Sequence, residues 1–160
     1  KPLIEVAGKP VIEHILDRLS EHGITDVMVN VHYLSEMITD HLKNRVQYYY
    51  EPVLLGHDGT IHALKGWLDG QEAFMVINGD TLTELDYTVF MKAHRQMSIT
   101  AYMNEWRCCG TWMYPKEYFT REDLPVYPYR DGSRWFDIGI PSRLEYARGY
   151  YDAKSVNNLS

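Results

Sequence analysis

The stretch Ala73-Phe-Met-Val-Ile-Asn-Gly-Asp80 decides the fold class. Its five leading apolar residues, with Phe, Val and Ile among them, make residues 73–77 a short buried strand. Gly79 lets the backbone turn where that strand ends, and Asp80 presents a carboxylate there. In an open α/β sheet this carboxyl edge is where ligands bind. A second run, Arg134-Trp-Phe-Asp-Ile-Gly-Ile-Pro141, has the same form: an aromatic strand end, Asp137, then Gly139. Two aspartates on two strand ends can share one hard cation. Taken alone, each reads equally well as the cap of a turn.

Composition narrows the classes. A chain of 160 residues is one domain's worth and long enough to bury a core, so residues 1–160 read as a single domain. A net charge of −6 argues against binding a nucleic-acid backbone, and the 13 tyrosines and 4 tryptophans are not interleaved with a basic stripe. The two cysteines are adjacent, Cys108 and Cys109, a spacing that supplies neither a disulfide framework nor a metal site. Vicinal free thiols suit a reducing, cytoplasmic setting. No apolar run approaches membrane-spanning length and no signal peptide is visible. The chain opens at Lys1-Pro2-Leu3 without an initiator methionine, so it reads as a piece of something longer.

Helix and strand signals alternate along the chain. Pro10 suits a helix start; Val11, Ile12, Ile15, Leu16 and Leu19 then form one apolar face, and Gly23 ends the helix. Residues 26–31 read as a buried strand, 35–43 as a helix with Met37, Ile38 and Leu42 inward, and 45–50 as a strand. A glycine-bearing loop leads to a helix over 60–68, and then comes the strand ending at Asp80. Residues 86–96 read as a helix, and 98–104 and 111–114 as strands. Such alternation implies right-handed crossovers and a mainly parallel sheet; the expected fold is a Rossmann-like three-layer αβα sandwich with a mainly parallel, mixed sheet.

The runs Lys1-Pro-Leu-Ile-Glu-Val-Ala-Gly-Lys-Pro10, Glu51-Pro-Val-Leu-Leu-Gly56, Asn78-Gly-Asp80 and Trp135-Phe-Asp-Ile-Gly139, in this order, resemble the sugar-phosphate nucleotidyltransferases. Among them the chain looks nearest the mannose- and manno-heptose-1-phosphate guanylyltransferases. The resemblance implies an enzyme that joins a nucleoside triphosphate to a sugar 1-phosphate, giving an NDP-sugar and pyrophosphate. No membrane partner is expected from the apolar pattern, and a homo-oligomer stays open. Two polyanions must be brought together, so positioning and charge neutralisation carry the catalysis. By resemblance, Asp80 and Asp137 hold Mg2+, the pair already marked by their strand-end positions. Lys1 matches the lysine that contacts the nucleotide phosphates, Asn78 and Gly79 line the nucleotide site, and Gly110 approaches the sugar.

Glu51 and Gly56 fall in the stretch that reads the base in this family. Relatives using uridine or thymidine triphosphate carry Gln where this chain has Glu51. A carboxylate only accepts, and guanine offers two adjacent donors, so GTP is favoured. The bland reading makes Glu51 a polar strand end before Pro52.

The chain also departs from the family pattern. Relatives commonly read Leu-Gly-Thr-Ala-Gly where this chain has Leu55-Gly-His-Asp-Gly59; Asp58 is expected to cap the helix beginning near Thr60. His57 and His62, at i, i+5, splay apart and make a poor metal pair. The family's Glu-Lys-Pro segment is absent, since Ser98-Ile-Thr-Ala-Tyr-Met103 runs almost at once into Cys108-Cys-Gly-Thr-Trp112. The glycine-rich loop and the first strand expected before Lys1 are missing as well, so the chain as given is expected not to turn over. A non-catalytic relative that binds a nucleotide or sugar and regulates a partner is the alternative.

Overall fold

The computed structural model describes residues 1–157. Strands β1 (Glu5–Val6) and β2 (Lys9–Pro10) form a small hairpin that leads into helix α1 (Val11–Glu21). Pro10 stands just before the first helical residue, where its missing N–H costs nothing. Val11, Ile12, Ile15 and Leu19 bury one face of α1. At its end Gly23, with φ of 74°, donates to the Ser20 carbonyl and Ile24 donates to Leu19. This paired left-handed cap requires glycine's freedom at that turn.

Strand β3 (Met28–Val31), helix α2 (Ser35–Leu42) and strand β4 (Gln47–Tyr50) form a crossover unit with parallel strands. Leu42 is fully buried, but Met37 is exposed, contrary to the expected inward face. The helix is only eight residues long and packs along its C-terminal end, so Met37 near its start faces water. Helices α3 (Gly56–Ala63) and α4 (Lys65–Leu68) replace the single helix expected over 60–68. The first begins at Gly56, which places Asp58 inside the first turn rather than at the cap. Its carboxylate accepts from Tyr118 at 2.8 Å instead. An acidic side chain is favourable there against the helix dipole.

Strand β5 (Ala73–Ile77) covers the residues the apolar run marked, and β6 (Thr81–Thr83) follows directly. Helix α5 (Tyr87–Ala93) is shorter than the expected 86–96; Asp86 caps it, its Oδ1 accepting from Val89 N at 2.9 Å. Then come β7 (Ile99–Met103), β8 (Cys108–Pro115), β9 (Val126–Tyr129), β10 (Trp135–Asp137) and α6 (Pro141–Asn157).

The Rossmann-like α/β class holds and the sheet is mixed. The main sheet has order β5–β8–β7–β9; β8 runs antiparallel to both β5 and β7, and β9 runs parallel to β7. A parallel return needs a crossover of a dozen or more residues. Only the short 104–107 connection separates β7 from β8, so the chain must double back as a hairpin.

Alternation along β5 and β8 divides the interior. Ala73, Met75, Ile77, Cys109 and Met113 face a core shared with α1, α5 and α6. Phe74, Val76, Trp112 and Tyr114 face a second cluster beneath α3 and α4, where Phe74 stacks on Tyr114 at 5.2 Å. Helices therefore cover both faces, and strands buried on both sides read as continuous apolar runs.

Beside the sheet, β6 pairs antiparallel with β10, setting Thr81 opposite Asp137 and the buried Leu82 opposite Phe136. On its other side β6 meets Gly110, where φ is 77° and an added Cβ would stand 2.8 Å from Thr81 Oγ1. Gly110→Ala is expected to destabilise the fold by about 2 kcal/mol, combining left-handed strain with the clash. Adding Thr81→Ala should recover the steric part only, a split that urea denaturation of the single and double variants will resolve.

Between α1 and α2, the Glu13 carboxylate accepts from Arg45 at 2.9 Å and from His41 at 2.6 Å. The Arg45 hydrogen bond is the largest influence and holds the Glu13 carboxyl below its ordinary 4.5, against the opposing effect of burial. A depressed carboxyl contributes stability that is present above the unfolded value and lost as pH falls through the folded one. Wild type should therefore lose more stability than Glu13→Gln on going from above to below pH 4.5 in matched urea melts.

Candidate functional site

Backbone pairing brings the two strand-end aspartates together. The Thr81–Asp137 rung is continued by Ile138 N donating to the Asp80 carbonyl at 3.0 Å. Ahead of it, Asn78 and Gly79 make an exposed turn: Asn78 N donates to the Gly110 carbonyl at 2.9 Å, and Thr81 N donates to the Asn78 carbonyl. The N-terminal residues lie on this turn, with a Cβ at Gly79 reaching Pro2 at 3.5 Å. Lys1 Nζ stands 3.7 Å from Asp80 Oδ2. A Cβ placed on Gly139 would be 3.6 Å from the same Nζ and 2.8 Å from Asp137 Oδ1. Lys1, Asp80 and Asp137 thus gather at one edge, with Asn78, Gly79, Gly110 and Gly139 as their backbone frame.

Asp137 is heavily engaged. Its Oδ1 accepts from Gly139 N at 2.8 Å. Its Oδ2 accepts from Arg143 at 2.6 Å and from Arg107 at 3.3 Å. Arg107 also lays its guanidinium over the Trp135 ring at 4.6 Å. No sequence motif announced these two arginines. Arg143 had a weak signal, since a helix opening at Pro141 sets it one turn beyond the Asp137 strand end. Arg107 had none beyond being basic between two strands.

Glu51 lies apart from this cluster, at the end of β4. It is 2% exposed, and its carboxylate accepts from the Thr60 hydroxyl. That hydroxyl also lies 2.8 Å from the Gly56 carbonyl, and with one proton it serves one acceptor at a time. The Glu51 backbone extends the β3–β4 ladder through Val31 and accepts from His32. Gly56, with φ of 73°, makes the turn into α3. Beside it His57 meets Tyr114 Oη at 2.6 Å and packs against Trp112 at 4.5 Å. The residue as a whole is exposed, but burial on this ring side pushes its pKa below the ordinary histidine value, with Asp58 opposing.

Two carboxylates on one edge suit Mg2+, which takes one or two carboxylates together with phosphate oxygens and water. Among the described residues no cluster of three or more His, Cys, Asp and Glu is placed to hold a metal. A cavity of about 160 Å3 opens elsewhere, between α1, β6 and α6, and contains neither Asp80 nor Asp137. Its Arg18 is spent on the Glu84 and Leu85 carbonyls. No helix of the described residues is long and apolar enough to cross a membrane.

Comparison with known proteins bears on the family and the fold. The chain is 38% identical over 96 residues to an N-acetylmuramate alpha-1-phosphate uridylyltransferase of Neisseria meningitidis, covering 55% of this chain and 41% of that protein. It is 28% identical over 104 residues to a mannose-1-phosphate guanylyltransferase catalytic subunit beta of Danio rerio, covering 60% and 29% respectively. The chain thus spans less than half the length of these curated relatives. In structure it superposes on HddC from Yersinia pseudotuberculosis complexed with GMP-PN with a TM-score of 0.77, at 20% identity, covering 94% of this chain and 89% of that one. A putative glucose-1-phosphate thymidylyltransferase from Bacillus anthracis gives a TM-score of 0.75 at 15% identity, covering 95% and 86%. At these identities the likeness speaks for the Rossmann-like fold alone. The nucleotidyl transferase family model matches residues 1–105, and the chain belongs to that family.

Proposed function

We propose that the protein forms an NDP-sugar and pyrophosphate from a nucleoside triphosphate and a sugar 1-phosphate, with GTP as the favoured nucleotide. The observation that carries this reading is the convergence of Lys1, Asp80 and Asp137 at one strand edge. Asp80 and Asp137 would hold Mg2+, which neutralises phosphate charge when bound. Lys1 offers a cation to the triphosphate, and the Asn78–Gly79 turn leaves exposed backbone against which phosphates can lie. The chain's own part is orientation and electrostatics, with no protein nucleophile required.

Base choice rests on Glu51. Its buried carboxylate, held by Thr60 beside the Gly56 turn, must be uncovered to meet a base, and a purely accepting group then favours the paired donors of guanine over the mixed edge of uracil. The relatives named above include both uridylyl and guanylyl transferases, so the choice falls to the residues of this chain. The second reading, a nucleotide-binding relative without turnover, is favoured by one observation. The 104–107 connection between β7 and β8 has no room for a further binding segment.

Titration calorimetry of GTP and UTP with Mg2+ tests both levels. Wild type should bind GTP more tightly, and Glu51→Gln should weaken GTP by on the order of 1 to 3 kcal/mol while sparing UTP. Equal losses would remove the base assignment. Asp80→Asn should abolish the Mg2+ dependence of binding, and a protein that binds neither nucleotide would sink the family-level activity. Pyrophosphate release on adding mannose 1-phosphate or a heptose 1-phosphate separates the enzyme from the silent binder.

A further inference from the structure

The cations at the candidate site fall into two groups. Lys1 pairs with Asp80, and Arg107 and Arg143 pair with Asp137. Three cations therefore surround two carboxylates, and one oxygen, Asp137 Oδ2, carries both guanidiniums. A single carboxylate cannot neutralise two arginines, so this corner holds unspent positive charge in a chain whose net charge is −6. The arginine side chains are 45% and 43% exposed, and ion pairs this open to water are weak enough to exchange.

Arg107 is also built into place. Asn104 Oδ1 accepts from the Trp106 and Arg107 backbone N–H groups, Asn104 N donates to the Arg107 carbonyl at 3.1 Å, and Arg130 holds the Asn104 carbonyl. The Trp135 ring then fixes the plane of the guanidinium beside Asp137. A rigid turn presenting a planar fork is a poor way to make one exposed salt bridge. It is a good way to meet a phosphate, whose oxygens match guanidinium donors two at a time.

We propose that Arg107 and Arg143 form a clamp for the phosphomonoester of the second substrate, closed on Asp137 when that carboxylate has no metal and released when a divalent cation takes it. The inference rests on the nucleotidyltransferase reading for the identity of the substrate, a sugar 1-phosphate, but not for the exchange itself. Different cations then serve the two reactants: Lys1 meets the triphosphate and the two arginines meet the incoming phosphate. The two arginines act as positioning residues for the attacking group.

The exchange is testable without turnover. Asp137→Asn removes the charge that closes the clamp while keeping an oxygen for Gly139 N–H. In metal-free buffer this variant should bind inorganic phosphate and mannose 1-phosphate at least about fivefold more tightly than wild type. Adding Arg107→Gln should erase the gain. In a separate titration, Mn2+ followed by its free-ion resonance should bind Arg107→Gln/Arg143→Gln at least about fivefold more tightly than wild type, because the competing cations are gone. If Asp137→Asn does not fold, the Mn2+ titration decides alone. Unchanged phosphate affinity in Asp137→Asn, or unchanged Mn2+ affinity in the arginine variant, would make the clamp a plain surface ion pair and overturn the proposal. GTP in place of the phosphates is the third arm, and a gain for GTP alone would assign the arginines to the triphosphate and overturn it as well. Neither ion titration uses a nucleotide, so both stay readable if the nucleotidyltransferase reading fails.

Discussion

The three residues of β6 are the constraint on which the rest of the site depends. On one side their backbone is laddered to β10; on the other they are pressed by Gly110 of β8, where a side chain has no room. Leu82 and Phe136, opposite one another in the ladder, anchor that pair in the main core. Each such buried side chain stabilises by about 1.5–3 kcal/mol relative to an exposed one. The aspartates at the ladder's end carry none of this burial themselves. They are placed by the apolar residues behind them, which is why a polar site can be held so firmly at a sheet edge.

Much of this was legible from residue order. The apolar run at 73–77, the face of α1 and the Gly23 stop are local signals, and local physics decided them. The strand-end aspartates were legible because a strand followed by a turn fixes where a carboxylate stands, whatever the partner strand turns out to be. What residue order leaves open is long-range or marginal. Strand direction in β8 depends on the length of the 104–107 connection rather than on any strand's own composition. The helix over 60–68 was displaced and broken because Gly56 can enter the turn early, and the aromatic cluster under α3 and α4 then rewards that position. Met37 stays exposed because an eight-residue helix buries too little for a periodic stripe to bind its whole length.

The arginines illustrate a different limit. Nothing about Arg107 or Arg143 in the chain marks them out from the other basic residues, and their meaning arises only when a hairpin and a helix start converge on one carboxylate. Electrostatic sites of this kind are properties of tertiary structure. The overall charge of −6 pointed away from a nucleic-acid backbone, yet the local surplus at the Asp137 corner has the opposite sign. Net charge governs the far field, and within a Debye length of roughly 8 Å the nearest groups decide.

The hydrogen bond from Ile138 to Asp80 joins segments far apart in the chain, with β7, β8 and β9 lying between them. Closing so long a loop carries an entropic cost that must be met before the contact gives anything back. Such a contact is expected to form late in folding, after the hairpin of β7 and β8 and the local βαβ unit of β3 and β4. The site is therefore absent from partly folded chains, and any ligand that binds there acts on the native state alone. Ligand binding there is linked to completion of the fold, so the concentration of any such ligand also shifts how much of the protein stays folded.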